Sequence, residues 1–437
     1  EGPPAGAGIR QNQSAWGLHN HSTMKTTLLL LLACFPVLGA QADPSLEYAE
    51  RAAKLEGKKD PKAWLKLVDF AEDQRLWDER DAALRKIVEA DPHNAEAHAR
   101  LGEARFGTSW LPADEAEAKE AEENRAKGLE FYGAAWVSPK EAGRLREADR
   151  KETGWDVQLR VETRHLQVYS ARPLDFTRSL AGLLEYEVDA YQRYYGKVWK
   201  LEPKPKPFRV WVLPDHATYL KVLAANGVRG SGHIEKSAGM YSTGVQILFV
   251  SPIPDGDVPD QVRATAVHEM LHGLDDLLAH CMRSSPVWVR EGRANYFAYG
   301  IEGRRITPGA IRIPLEGTKC NSLLLDRGRI LSTPLSDMMS MDLAAFCDSR
   351  PEAHYALSLS WVFFLEYGDD GKHAAAFRTY LSGCPAGKAS VADFEKTVGS
   401  LSELEPRFRE FLDKELLPLA SEYVTNTLLQ ANPEAAR

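Results

Sequence analysis

Five consecutive residues constrain this chain more than any others: His268-Glu269-Met270-Leu271-His272. They demand a helix. Val262, Ala266, Val267, Met270, Leu274 and Leu277 form an apolar stripe at helical spacing, and Pro259 suits the first turn. Two histidines four apart are separated by just over one turn, so both imidazoles project from one face, where one Zn²⁺ can take both. Glu269 lies beside them and reaches a water at that ion rather than the ion itself. Alone, the pattern also suits a helix with two partly buried histidines.

The segment that follows narrows the choice. Ser285-Pro286-Val287-Trp288-Val289-Arg290-Glu291-Gly292-Arg293-Ala294-Asn295-Tyr296-Phe297 reads as a second helix, with Ser285 as its cap and Pro286 at its first position. Glu291 stands 19 positions after His272. The 18 residues between them let the first helix end, a loop turn, and a second helix return alongside. Gly292 and Ala294 are small enough for close helix approach. A catalytic zinc takes three protein ligands and keeps one open position, and two histidines with one glutamate are such a set.

The His-Glu-x-x-His motif, the 18-residue gap and the Trp-Val-x-Glu-Gly-x-Ala sequence together resemble the gluzincin metallopeptidases. Their surroundings resemble the peptidase-MA-like families of exported bacterial proteins, including a group catalogued only as a domain of unknown function. The resemblance covers about Val161 to Leu417. It implies that His268, His272 and Glu291 hold one zinc ion per chain. It implies that Glu269 is the general base, delivering the proton of water to the leaving amine. Asn295, one turn beyond Glu291, stands where an acidic or amide residue braces a ligand histidine. Tyr355 is the candidate that stabilises the oxyanion, with Tyr241 and Tyr296 as weaker ones. The strand Gly244 to Ser251 would edge the cleft and pair with an extended peptide. Exopeptidases of this kind carry Gly-x-Met-Glu-Asn to bind a free amino terminus. Ala238-Gly239-Met240-Tyr241-Ser242 stands near that place without a Glu, so the implied substrate is a protein or peptide cut internally.

The rest of the chain reads as an α+β protein. Residues 43–103 form a helical region resembling a tetratricopeptide repeat, whose consensus period is about 34 residues. Asp60-Pro61 and Asp91-Pro92 serve as helix-start signals 31 positions apart. A plain helical hairpin is the other reading of this stretch. Residues 104–155 contain an echo: Phe106-Gly107-Thr108-Ser109-Trp110-Leu111 returns 26 positions later as Tyr132-Gly133-Ala134-Ala135-Trp136-Val137. Each Trp is expected to tuck into a turn and pack on the next helix. Residues 156–430 form the metallopeptidase-like domain. Its expected strands lie at 158–161, 165–168, 208–213 and 240–251 in a small mixed sheet, with a helix at 175–196 and a helical C-terminal part.

Compartment and partners follow from the N-terminus and the charge. Met24 to Ala42 has a short positive start, an apolar run too short to span a bilayer, and a small-x-small end. This predicts a secretory leader in residues 1–42 cleaved after Ala42, with Met24 as the start, and hence a periplasmic or extracellular protein. Leu31-Leu32-Ala33-Cys34 loosely matches a lipoprotein box that would lipidate Cys34, but the apolar residues after it argue against that. Cys281, Cys320, Cys347 and Cys384 then permit two disulfides, Cys384 with Cys347 or Cys320 among the pairings. A formal net charge of −8, spread along the chain, lacks the basic footprint of a nucleic-acid binder. No later segment reads as a transmembrane helix. Besides peptidase action, the sequence admits an exported binding or scaffold protein that meets a protein partner through its N-terminal helices and keeps the metal site inactive or structural.

Overall fold

The computed structural model describes residues 44–422 apart from positions 75, 204–205, 229–236, 253–258, 310–326 and 349–350. The leader, Cys34 and Cys320 therefore lie outside the described residues.

Four helices begin the described residues: α1 (Pro44–Ala53), α2 (Pro61–Asp73), α3 (Trp77–Ala90) and α4 (Ala95–Arg100). Asp60 caps α2, its carboxylate accepting from the backbone N–H of Lys62 and Ala63 at 3.1 and 3.2 Å. Asp91 does not start a helix. It closes α3, and Asn94 caps α4 instead, accepting from the Ala97 N–H at 3.0 Å. Trp64, Leu67, Val68 and Ala71 pack with Ala83, Leu84 and Ile87 in a small core of their own.

The 26-residue echo is a repeated unit of β-hairpin plus helix. The first copy is β1 (Glu103–Phe106), β2 (Ser109–Pro112) and α5 (Ala113–Ala126); the second is β3 (Glu130–Tyr132), β4 (Ala135–Val137) and α6 (Pro139–Thr153). Gly107 and Gly133 sit in the two hairpin turns at φ of 61° and 72°, a region that costs other residues strain. The tryptophans lie on strands, not in turns. Trp110 stacks on His98 of α4 at 3.9 Å, and Trp136 meets its cross-strand neighbour Phe131 edge-on at 5.4 Å.

A five-stranded mixed sheet follows, made of β5 (Leu159–Glu162), β6 (Leu166–Ser170), β7 (Phe208–Val212), β8 (Gly239–Ser242) and β9 (Ile247–Val250). Its order is β5-β6-β7-β9-β8; the two outer pairs are antiparallel and the inner ones parallel. The segment 240–251 is thus two strands. The chain reverses between them, with Gln246 at φ 54°, so β9 is interior and β8 is the edge. Two helices punctuate the sheet, α7 (Leu174–Tyr195) and α8 (His216–Ala225). β9 is buried at all four positions, as an inner strand covered on both faces must be.

Against this sheet lies α9 (Pro259–Leu277), and α10 (Val287–Ala298) packs on α9. A hairpin of β10 (Ile301–Glu302) and β11 (Arg305–Ile306) comes next. Helices complete the described chain: α11 (Arg327–Ile330), α12 (Leu335–Ser340), α13 (Leu343–Asp348), α14 (Pro351–Gly371), α15 (Ala374–Ser382), α16 (Val391–Thr397) and α17 (Leu401–Phe411). α14 loses helical geometry at Gly368, Asp369 and Asp370. Among the described residues no helix is long and apolar enough to cross a membrane. The expected disulfides are corrected: Cys281, Cys347 and Cys384 are free thiols. Cys281 and Cys384 are fully buried in the main core, where a cysteine packs as a small apolar side chain.

Candidate metal centre

The site is built where α9 and α10 meet. α9 brings His268, Glu269 and His272 to one face, and their ligand atoms all lie within 4.8 Å of one another. These three residues could hold a metal ion. α10 enters through Pro286, which is its N-cap; Ser285, buried one residue earlier, makes no capping bond. The backbone of α10 runs so close to α14 that a Cβ on Gly292 would meet the Ser358 carbonyl oxygen at 2.6 Å. That approach needs glycine, and it seats Glu291 opposite the histidines.

Glu291 is 95% buried, and one of its carboxylate oxygens does double duty. Oε2 lies 3.1 Å from His268 Nε2 and 3.4 Å from His272 Nε2. On the far side of the first ring, His268 Nδ1 faces Asn295 Oδ1 at 3.0 Å. With the amide oxygen so placed, Nδ1 carries the hydrogen and Nε2 of the neutral ring presents a lone pair. Two imidazole nitrogens and a carboxylate oxygen then converge on one point, where they can share a proton or a cation. A shared cation satisfies all three; without one, protons must. The donor set therefore fits a metal ion.

The electrostatics show how strongly these groups draw a shared positive charge. Burial raises the Glu291 carboxyl, but the charge of His272 and hydrogen bonds from both rings outweigh it and hold the group well below the ordinary carboxylate range. For His268, burial disfavours the charged ring, yet the bond to Glu291 and the charges of Glu269 and Glu291 raise its pKa. The Nδ1 of His272 is buried without a hydrogen-bond partner among the described residues.

Glu269 is held from the sheet. The backbone N–H of Tyr241, on edge strand β8, donates to Glu269 Oε2 at 2.7 Å. The Tyr241 hydroxyl donates to Asp276 Oδ2 at 2.9 Å, tying the same strand to α9 a second time. The Tyr241 hydroxyl is thereby occupied one turn beyond His272, and Tyr296 is fully buried between α10 and α14 against Phe363. Tyr355 does come to the site: its ring lies 6.2 Å from that of His268, with Phe346 edge-on at 5.2 Å.

Some residues here escaped the sequence reading. Cys347 is half-buried, and its thiol is hydrogen-bonded to Tyr355; burial and the Glu291 charge push its pKa up. Asp275 and Arg293 form a fully buried ion pair between the same two helices. Charged residues on the buried faces of two apolar helices were the signal available for that pair. The Tyr241 N–H left no signal, because a backbone donor has no letter in the sequence. No family model matches the chain, and no curated protein matches it.

Proposed function

We propose that the chain is a zinc metallopeptidase of the gluzincin type, cutting peptides or proteins internally, with His268, His272 and Glu291 as ligands. The observation that carries this reading is the single Glu291 oxygen lying within 3.4 Å of the Nε2 atoms of both histidines, delivered from a second helix. A buried carboxylate between two imidazoles is costly to assemble unless a cation joins it.

When bound, zinc supplies a Lewis acid for the scissile carbonyl and lowers the pKa of water to about 7. The protein's own groups do the rest. Glu269, oriented by the Tyr241 N–H, takes a proton from the attacking water and delivers it to the leaving amine. The Tyr355 hydroxyl, on the His268 side of the site, donates to the developing oxyanion. Asn295 holds the His268 ring so that Nε2 faces inward. The edge strand β8, rather than β9, offers backbone groups to an extended peptide. The leader-like segment supports an exported location for the enzyme.

Zinc content per chain decides the matter. The purified protein is expected to carry about one zinc per chain, and a Glu291→Ala variant to lose most of it, as three-ligand coordination requires. A parent protein that takes up no zinc when offered it would sink this reading and leave the exported scaffold as the account of the chain.

A further inference from the structure

The two helices that carry the site residues also carry a fully buried pair of opposite charges. Asp275 follows His272 by three residues on α9, and Arg293 follows Glu291 by two on α10. Both side chains are fully buried. The Arg293 fork closes on the Asp275 carboxylate with Nη1 to Oδ2 at 2.8 Å and Nη2 to Oδ1 at 3.1 Å. Its Nε donates to the Tyr195 hydroxyl at 2.8 Å, and the Tyr191 hydroxyl donates to Asp275 Oδ1 at 2.7 Å. The guanidinium also lies over the rings of Tyr195 and Trp199, at 4.1 and 4.6 Å. Trp199 in turn donates from its indole N–H to the Leu381 carbonyl at 2.8 Å. One planar cation therefore ties α9, α10 and α7 together.

A buried ion pair is a poor source of stability, because desolvation cancels most of the attraction, and apolar residues of like volume serve as well. What a bidentate, fully bonded pair supplies and apolar packing does not is direction: the fork and the carboxylate match in one orientation. Here that orientation sets the rotation and sliding of the helix carrying two ligands against the helix carrying the third.

We propose that Asp275 and Arg293 are positioning residues for the metal centre, holding α9 and α10 in the one relative setting at which His268, His272 and Glu291 converge. The proposal rests on the zinc reading above. It separates affinity for metal from stability of the fold.

The test is a double variant, Asp275→Leu with Arg293→Met, made in the full chain. Two quantities are measured: thermal unfolding of the metal-free protein, and zinc affinity by competition with a chromophoric chelator. The expected result is a metal-free protein that unfolds within a few degrees of the parent but binds zinc about 10- to 100-fold more weakly. Its cobalt-loaded form should show altered visible absorption, reporting changed ligand geometry. Zinc affinity within twofold of the parent, with an unchanged cobalt spectrum, would overturn the proposal. Should the double variant fail to fold, Arg293→Lys decides. It keeps the charge and loses the fork, so weaker zinc binding on an intact fold supports positioning, and parental affinity refutes it. A parent that binds no zinc at all defeats the underlying zinc reading instead, an outcome distinct from either of these.

Discussion

At the scale of single residues, two glutamates show what burial does to a carboxyl group. Glu269 keeps one oxygen on the Tyr241 N–H and faces the histidines. Glu269→Gln is expected to retain zinc, measured per chain, while peptide hydrolysis falls by about 10²- to 10⁴-fold, the usual yield of a general base. Glu187 of α7 is the opposite case. It is fully buried, neither carboxylate oxygen has a partner among the described residues, and desolvation raises its pKa well above the ordinary value. A raised pKa means that the folded state holds the proton more tightly than the unfolded one. Stability is thus unaffected by this group below about pH 4, near the unfolded carboxyl value. It falls as pH rises, by about 1.4 kcal/mol per unit, until the folded pKa is reached. Glu187→Gln keeps a neutral polar group of the same shape and removes that slope. Denaturant unfolding should show parent and variant alike at pH 4 and the variant more stable at pH 8; equal stability at both would show that Glu187 is paired or hydrated. The sequence marked Glu269 through its motif. It could not mark Glu187, since a single Glu in an amphipathic helix reads the same whether it points outward or inward.

At the scale of elements, the histidine and glutamate helices were legible because helical periodicity and proline placement are local. The α9 start at Pro259 and the bounds of α7 agree with the stripe of apolar residues to within a residue or two. Cap assignments fared worse: Ser285 and Asp91 have the chemistry of caps, but Pro286 and Asn94 occupy those places. The strand at 240–251 was read as one element because its apolar residues run on. The reversal before Ile247 depends on pairing with β7, a partner far off in sequence. The close approach of α10 to α14 makes the strongest prediction at this scale. Gly292→Ala puts a methyl group 2.6 Å from the Ser358 oxygen and 2.8 Å from the Val362 side chain. Thermal unfolding should register a loss of about 1–3 kcal/mol, as overpacking does. Zinc binding should weaken with it, because Glu291 is the preceding residue. An unchanged melting temperature would mean the two helices part without cost.

At the scale of the whole molecule, the N-terminal units are joined to the sheet region by a seam of charges. Arg304 and Arg305, at the β10–β11 hairpin directly after α10, reach Asp114 at 2.7 Å, Glu117 at 2.8 Å and Asp81 at 2.9 Å. On α7, Arg178 meets Glu120 at 2.7 Å and Arg193 meets Glu72 at 3.2 Å, and just past its end Lys197 meets Asp73 at 2.7 Å. Partly exposed pairs contribute about 0–1 kcal/mol each and are screened by salt. Replacing Arg304 and Arg305 by Ala is expected to speed amide hydrogen exchange across α5 and to make that exchange more sensitive to salt, with zinc content unchanged. Loss of zinc in that variant would show that the N-terminal units and the metal site stand or fall together.

The division between sequence and structure follows from range. Residue types at spacings of a turn or two determined most of the helices, the mixed α+β class, the 26-residue echo and the placing of His268, Glu269 and His272 on one helix face, since these rest on local geometry and ligand chemistry. The tertiary structure alone decided which strand is the edge, which glutamates are buried, that Cys281, Cys347 and Cys384 remain thiols, and that Asp275 meets Arg293. Each of those depends on contacts between residues distant in sequence, whose free energies are set by burial and by the partners that packing supplies.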